Sequence, residues 1–204
     1  MILRATKIAA LLGDGRSAVD PLVITPTPDL KTEERQGAAS VDLRLGTWFV
    51  SLRQARMTHL SVDEPGSPAQ LTQTHYVRYG SGYILHPGGF VLGATIEWIR
   101  MPHTLAAYVI GKSSWGRRGL IIATATGVHP GFKGCLTLEL SNVGEIPIEL
   151  KPGIKLCQLF FHTVEPSGAS EIYESQYDGR RRPVLGKITL DRIAQALAKP
   201  EPGI

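Results

Sequence analysis

The chain has 204 residues, 43% of them hydrophobic, which suits one domain with a sizeable core, with or without an appendage. Its net charge of +4 suits an anionic ligand, although ordinary surface charge explains it equally well. Two cysteines without a CxxC pair argue against a disulfide framework and a zinc site. There is no signal-peptide pattern and no apolar run near the ~20 residues of a membrane span, so we expect a cytoplasmic protein without membrane contact.

Short helices are predicted near both ends of the chain, at Thr6–Leu12 and at Leu190–Ala198, the second with Thr189 as its N-cap. Between them, the high content of Gly and Pro indicates many turns and short strands. Residues 52–75 are predicted to be an irregular excursion. The predicted strands share alternating or continuous apolar residues and are 41–51, Tyr83–Leu85, Phe90–Ile96, Leu105–Ile110, Cys135–Leu140, Ile146–Leu150 and Ile154–His162. We therefore predict a mainly β protein, either a barrel or a jelly-roll-like sandwich.

A carboxylate lies on one of these strands, in the stretch CLTLEL that ends at Leu140. Side chains alternate between the two faces of a strand, so its three leucines point to the core, and Thr137 and Glu139 point the other way. A carboxylate that faces a pocket is a candidate general base. On the strand pattern alone, an exposed surface Glu139 is the more common situation.

A second stretch of interest, GKSSWGRRG at residues 111–119, follows a strand and is dense in hydroxyls and cations. Lys112 and Arg117 can pair with phosphate oxygens, as can backbone N–H groups. The spacing of a Walker A loop is absent, and an ordinary basic turn remains the alternative.

The stretch from Gly111 to Gly153 resembles the central signature of the dCTP deaminase family, which runs G-R-S-S-x-x-R-x-G-L, T-A, I-D-P-G-[WF]-x-G-x-[IL]-x-L-E, N-x-G and P-G. Upstream, SVDLRLG at residues 40–46 and LHPG at residues 85–88 also match, in the family's order. The resemblance spans residues 1–186, and we treat residues 187–204 as a C-terminal helical extension.

The resemblance implies a distorted β-barrel or jelly roll of the dUTPase-like type, in a homotrimer with active sites where subunits meet. It also implies roles for individual residues. Glu139, Ser113 and Arg117 match the catalytic residues. The implied nucleotide-binding residues are these three with Lys112, Ser114, Thr124, Ala125, His129, Thr137, Leu138, Tyr173, Gln176 and Arg180.

Five positions depart from the family's pattern. Lys112 replaces an Arg, which keeps the charge but loses the bidentate fork. His129 stands where the family has an Asp that contacts the sugar, and Ala123 stands where many members have a His. In the tail, Gln176 replaces a Lys and Arg180 replaces a Gln. His129 argues against dUTPase hydrolysis and raises doubt about sugar recognition.

The function that the resemblance implies is metal-free hydrolytic deamination of dCTP to dUTP and ammonia, with Glu139 as the general base and Mg²⁺ bound through the triphosphate. The zinc-deaminase pattern H-x-E with P-C-x-x-C is absent. Two alternatives stay open: a non-catalytic trimeric nucleotide-binding regulator, and a deaminase or pyrophosphatase for a different pyrimidine deoxynucleotide. No basic stripe indicates nucleic-acid binding.

Overall fold

The structure is a computed structural model that describes residues 1–13, 19–30, 37–53, 59–61, 67–124, 127–165 and 177–197. The described helices are α1 (Ala5–Gly13), α2 (Pro68–Leu71), α3 (Ser113–Gly116) and α4 (Arg192–Leu197). The described strands are β1 (Val23–Thr25), β2 (Val41–Leu52), β3 (Thr72–Tyr76), β4 (Tyr83–Leu85), β5 (Phe90–Arg100), β6 (Leu105–Gly111), β7 (Leu120–Ile122), β8 (Gly127–Val128), β9 (Lys133–Asn142), β10 (Ile148–Leu150) and β11 (Lys155–Thr163). None of the described helices is both long and apolar enough to cross a membrane.

One large antiparallel sheet forms most of the described chain. Its main path runs β7-β9-β5-β2-β11-β6-β8, with β1 added to β5 and β3 added to β2. Strands β4 and β10 pair separately. The sheet curls into a half-barrel, with short helices near the two ends of the described chain, as the sequence predicts. The predicted mainly β, distorted-barrel fold is therefore confirmed.

The concave face of the sheet encloses the core. Leu138 and Leu140 of β9 are fully buried there, together with Phe49 of β2 and Phe161 of β11. Burying a side chain of this size stabilises the fold by about 1.5–3 kcal/mol. Helix α1 packs on this core through Ile8, which is also fully buried. The alternating pattern of β9 thus leaves its other face for contacts outside the core.

The sheet bends where strand β5 loses register with both of its long neighbours. The pairing register with β2 shifts between Leu45 and Phe49 of β2. The pairing register with β9 shifts between Ala94 and Trp98 of β5. Such bulges increase the local bend and twist of a strand. A Cβ on Gly46 would lie 2.9 Å from the carbonyl oxygen of Ala94, so the close approach of β2 and β5 requires glycine there.

Two buried polar side chains take up the hydrogen bonds that the ladders lose at this bend. The hydroxyl of Thr95 donates to the carbonyl of Glu97 and accepts from the N–H of Leu136, at 2.9 and 3.0 Å. The Glu97 carboxylate is fully buried and accepts from the backbone N–H of Arg44 at 2.8 Å and from its guanidinium at 3.1 Å. A buried carboxylate is tolerated because both oxygens have donors.

Four described strands, β1, β3, β7 and β8, are not among the strands predicted from the sequence. Strand β3 lies inside the segment predicted to be irregular, because its residues TQTHY are polar on both faces and show no apolar alternation. Strands β1 and β7 have three residues each and β8 has two, too few to show a period of two.

The predicted start and cap of the last helix were wrong. Helix α4 begins at Arg192, and the carboxylate of Asp191 accepts from the N–H of Ala194 at 2.7 Å. Asp191, not Thr189, is therefore the N-cap.

Replacing Arg44 by Met should destabilise the fold, because the buried Glu97 carboxylate would lose its guanidinium. We expect urea unfolding at constant protein concentration to show a loss of about 3 kcal/mol, the lower end of the usual range because the Arg44 side chain is 28% exposed. The control Lys151→Met breaks an ion pair with Glu149 in which both side chains are about half exposed, and it should cost at most about 1 kcal/mol. Equal losses for the two variants would contradict the expectation.

Candidate active site

A pocket of about 500 Å³ opens on the face of β9 that points away from the core. Its walls come from β9, the start of β5, β6, the segment between β7 and β9, and the segment after residue 176. The lining residues are Phe90, Leu92, Val109, Ala123, Thr124, Gly127, Val128, His129, Phe132, Cys135, Leu136, Thr137, Glu139, Tyr177, Asp178, Val184, Leu185 and Gly186. A largely apolar pocket with a few converging polar groups is the usual form of a small-molecule site.

Strand β9 contributes two polar side chains to the pocket. Thr137 and Glu139 line it, and both are part-buried, as the alternation of the strand predicts. Leu138 was also predicted to bind nucleotide, but its side chain is fully buried in the core and does not line the pocket.

The main chain of Glu139 is held on both sides by the segment that follows β7. The N–H of Ala123 donates to the carbonyl of Glu139 at 2.8 Å. The N–H of Glu139 donates to the hydroxyl of Thr124 at 3.1 Å. The two bonds fix the backbone from which the Glu139 carboxylate projects, which limits the directions that the side chain can take.

His129 also lines the pocket, and it is exposed. It precedes a tight turn in which Gly131 has a φ of 81° and the N–H of Phe132 donates to the carbonyl of His129 at 3.3 Å. An imidazole therefore lies at the wall of the pocket, at the position where the resembled family has a carboxylate.

The segment after residue 176 forms the outer wall of the pocket by pairing with the start of β9. The N–H of Gly179 donates to the carbonyl of Lys133 at 2.6 Å, and the N–H of Cys135 donates to the carbonyl of Arg180 at 2.8 Å. Gly134 allows this approach, because a Cβ there would lie 3.1 Å from the Arg180 oxygen. The tail segment that contains Arg180 thus lies against the pocket, and the contribution of residues 184–186 had no signal in the sequence.

The three arginines of the tail contact different parts of the protein. The main chain of Arg180 pairs with β9, whereas the Arg182 guanidinium carbon lies 3.8 Å from the ring centroid of Trp48. Trp48 is part-exposed and also contacts the ring of Tyr76. Arg181 lines a second cavity, of about 190 Å³, beside Trp48.

The basic run that follows β6 lies outside the pocket. Ser113, Ser114 and Arg117 are exposed on the α3 turn. The Lys112 ammonium lies 2.6 Å from the Asp42 carboxylate on β2. Burial alone raises the pKa of Asp42, but the hydrogen bonds and charges of Lys112 and Lys155 outweigh that effect and hold this pKa below its usual value.

The predicted site residues therefore fall into two groups within one chain. Thr124, His129, Thr137 and Glu139 line the pocket, and Arg180 borders it through its main chain. The run from Lys112 to Arg117 lies on another surface. Ala125, Tyr173 and Gln176 lie outside the described residues.

Comparisons with known proteins identify the family. A family model described as dCTP deaminase-like matches residues 2–164. The chain belongs to the dCTP deaminase-like family. It is 36% identical over 195 residues to a dUMP-forming dCTP deaminase of Dictyoglomus thermophilum, with 94% of this chain and 96% of that protein covered. It is 37% identical over 198 residues to a dCTP deaminase of Natronomonas pharaonis, with coverages of 94% and 97%.

A solved structure of a member of the dCTP deaminase-like family supports the fold. The crystal structure of 2′-deoxycytidine 5′-triphosphate deaminase from Agrobacterium tumefaciens matches with a TM-score of 0.58 at 26% identity. The match covers 80% of this chain and 48% of that chain, so this chain spans about half the length of the solved one.

Both thiols of this family member should be unreactive while it is folded. Burial raises the pKa of Cys157 to about 12, and burial also raises the pKa of Cys135, which the charge of Arg181 only partly offsets. At pH 8 a thiol of pKa 12 is ionised in about one molecule in ten thousand, and the thiolate is the reactive form. We expect a disulfide reagent at pH 8 to label neither residue quickly in the native protein and both after denaturation. Fast labelling of one thiol per native chain would contradict this, and Cys135→Ser would show which thiol reacted.

Proposed function

We propose that this protein deaminates dCTP by hydrolysis, with Glu139 as the general base. The observation that carries the proposal is the position of Glu139, which lines a pocket of about 500 Å³ while its main chain is held by Ala123 and Thr124. The family of the chain and the names of its relatives support the same reaction.

The chemistry requires a proton acceptor and a proton donor at the cytosine ring. Water attacks C4 while the Glu139 carboxylate takes one of its protons. The same group then returns that proton to ring nitrogen N3, and the remaining proton of the added hydroxyl passes to the amine. The C4–N bond breaks, ammonia departs, and the uracil carbonyl is left. One carboxylate thus serves as base and then as acid, a form of help that accelerates reactions about 10²–10⁴-fold.

Other residues of the chain position the nucleotide in this proposal. Thr137 and His129 line the same pocket as Glu139, and in the proposal they contact the base and the sugar. The run from Lys112 to Arg117 binds the triphosphate and approaches the base, and magnesium accompanies the triphosphate as part of the substrate. Arg117 favours the ionised form of a nearby carboxylate, which keeps Glu139 ready to accept a proton.

We also propose that the complete site forms between copies of the chain, in a trimer. Within one chain, Ser113 and Arg117 lie exposed on the α3 turn and do not line the pocket that holds Glu139. Their contact with one nucleotide is achieved when the α3 turn of one copy faces the pocket of the next, which fits the closed symmetry of most oligomers.

A second candidate product is dUMP. Curated relatives differ, since the Dictyoglomus thermophilum protein is named as dUMP-forming and the Natronomonas pharaonis protein is not. The imidazole of His129 in the pocket lining favours dUTP as the product, because a carboxylate at that place would orient a second water.

Replacing Glu139 by Gln should abolish deamination, because the amide is isosteric but cannot accept the proton from water. With dCTP and magnesium, we expect ammonia and dUTP from the wild type and a turnover number lower by ~10²-fold or more in the variant. Glu145→Gln, a change in the turn after β9, serves as a control and should keep wild-type turnover. Release of pyrophosphate together with dUMP would show that dUMP, the second candidate, is the product. An active Glu139→Gln variant would contradict the role of Glu139.

Mixing two inactive variants should restore activity if each site uses two chains. We expect Glu139→Gln and Arg117→Ala to be nearly inactive when each is purified alone. When they are co-expressed at equal levels, about a quarter of the sites in random trimers combine an intact Glu139 with an intact Arg117. Turnover near that fraction of the wild type is the expected result. Mixtures that stay as inactive as the single variants would show that both residues of a site come from one chain.

A further inference from the structure

Lys155, at the start of β11, shares a carboxylate with the lysine of the predicted phosphate run. Its ammonium nitrogen lies 3.1 Å from one oxygen of Asp42. The ammonium nitrogen of Lys112 lies 2.6 Å from the other oxygen of the same group. The two ammonium groups therefore lie close together on one carboxylate, although the residues are distant in sequence.

Two hydrogen bonds to main-chain carbonyls hold Lys155 next to the basic run. The indole N–H of Trp115, inside that run, donates to the carbonyl of Lys155 at 3.1 Å. The N–H of Lys112 donates to the carbonyl of Leu156 at 3.1 Å. The α3 turn and the start of β11 are thus joined at two points, so the position of Lys155 is tied to that of the basic run.

The charges of this cluster leave it suited to a further anion. Two ammonium groups face one carboxylate, so Asp42 neutralises only one of the two positive charges. An ammonium has three N–H donors, and one contact with Asp42 does not use them all. The side chains of Lys112 and Lys155 are 29% and 40% exposed, whereas Asp42 is only 12% exposed, so the ammonium groups lie on the solvent side of the carboxylate.

We propose that Lys155 is a second phosphate-contacting lysine of the nucleotide site and binds the triphosphate together with Lys112. This inference rests on the proposed function and adds a cation that lies outside the basic run of residues 112–117. Asp42 orders both side chains before the nucleotide arrives, which reduces the conformational entropy that binding would otherwise lose. The triphosphate then takes up the N–H donors that Asp42 does not use.

Binding of inorganic tripolyphosphate tests the proposal without any turnover. We expect calorimetry to show a Kd about tenfold higher for Lys155→Met than for the wild type, the scale of one hydrogen bond to a charged group. Lys155→Arg keeps the charge and should stay within about threefold. The matched control is Lys151→Met, since Lys151 is also an exposed lysine paired with a carboxylate and lies four residues away. Equal affinities for Lys155→Met and Lys151→Met would overturn the proposal, as would a wild type that does not bind tripolyphosphate.

Chemical acetylation of the unmodified protein gives a second measurement that does not depend on the folding of a variant. Tripolyphosphate should slow the acetylation of Lys155, detected by mass spectrometry, and leave the rate at Lys151 unchanged. Equal rates at Lys155 with and without tripolyphosphate would also overturn the proposal.

Kinetics separate the failure of this inference from the failure of the proposed function. For dCTP, Lys155→Met should raise KM about tenfold with little change in kcat, because the phosphate contact is the same in the ground state and the transition state. If the wild type deaminates dCTP and Lys155→Met has an unchanged KM, the function stands and the role of Lys155 is wrong. Suppose instead that the wild type does not deaminate dCTP but binds tripolyphosphate, and that Lys155→Met weakens this binding. The role of Lys155 then stands and the function is wrong.

Discussion

The bend of strand β5 is the constraint on which the arrangement of the site depends. At this point β5 is out of register with both β2 and β9, and the hydrogen bonds that the ladders lose are replaced by the side chains of Thr95 and Glu97. The replacement donors and acceptors are buried, so they cannot exchange these hydrogen bonds for bonds to water. The bend is therefore held in one geometry. The curl of the sheet that follows places the outer face of β9, with Glu139, opposite the segments that close the pocket.

Electrostatic pairing organises the molecule at two different depths. In the interior, the Arg44 and Glu97 pair holds strands together, and its role is structural. Near the surface, Asp42 forms ion pairs with two lysines, one just after β6 and one at the start of β11. The two ammonium groups carry one positive charge more than Asp42 neutralises, and they are more exposed to solvent than its carboxylate. The same type of contact thus fixes the scaffold in one place and prepares a binding surface in another, and the degree of burial decides which of the two it does.

The sequence predicted the long elements and the chemistry of β9 because both rest on local patterns. Alternation alone places Thr137 and Glu139 on the face opposite the leucines, and the structure confirms this. Contacts between distant segments could not be predicted in this way. Nothing local indicates that Arg182 stacks on Trp48, that Asp42 holds Lys112, or that the polar residues of β3 add a strand to the edge of the sheet. The signature of the family orders residues along the chain, but it does not state which copy of the chain supplies each of them.

Among the described residues, Cys135 alone lines both the cavity of about 500 Å³ and the cavity of about 190 Å³. A larger side chain at this position would therefore narrow both cavities. Sequence change at position 135 is therefore restricted from two sides at once. An engineer who wishes to widen the larger cavity for a bulkier base has more freedom at Leu92 or Val184, which line that cavity alone.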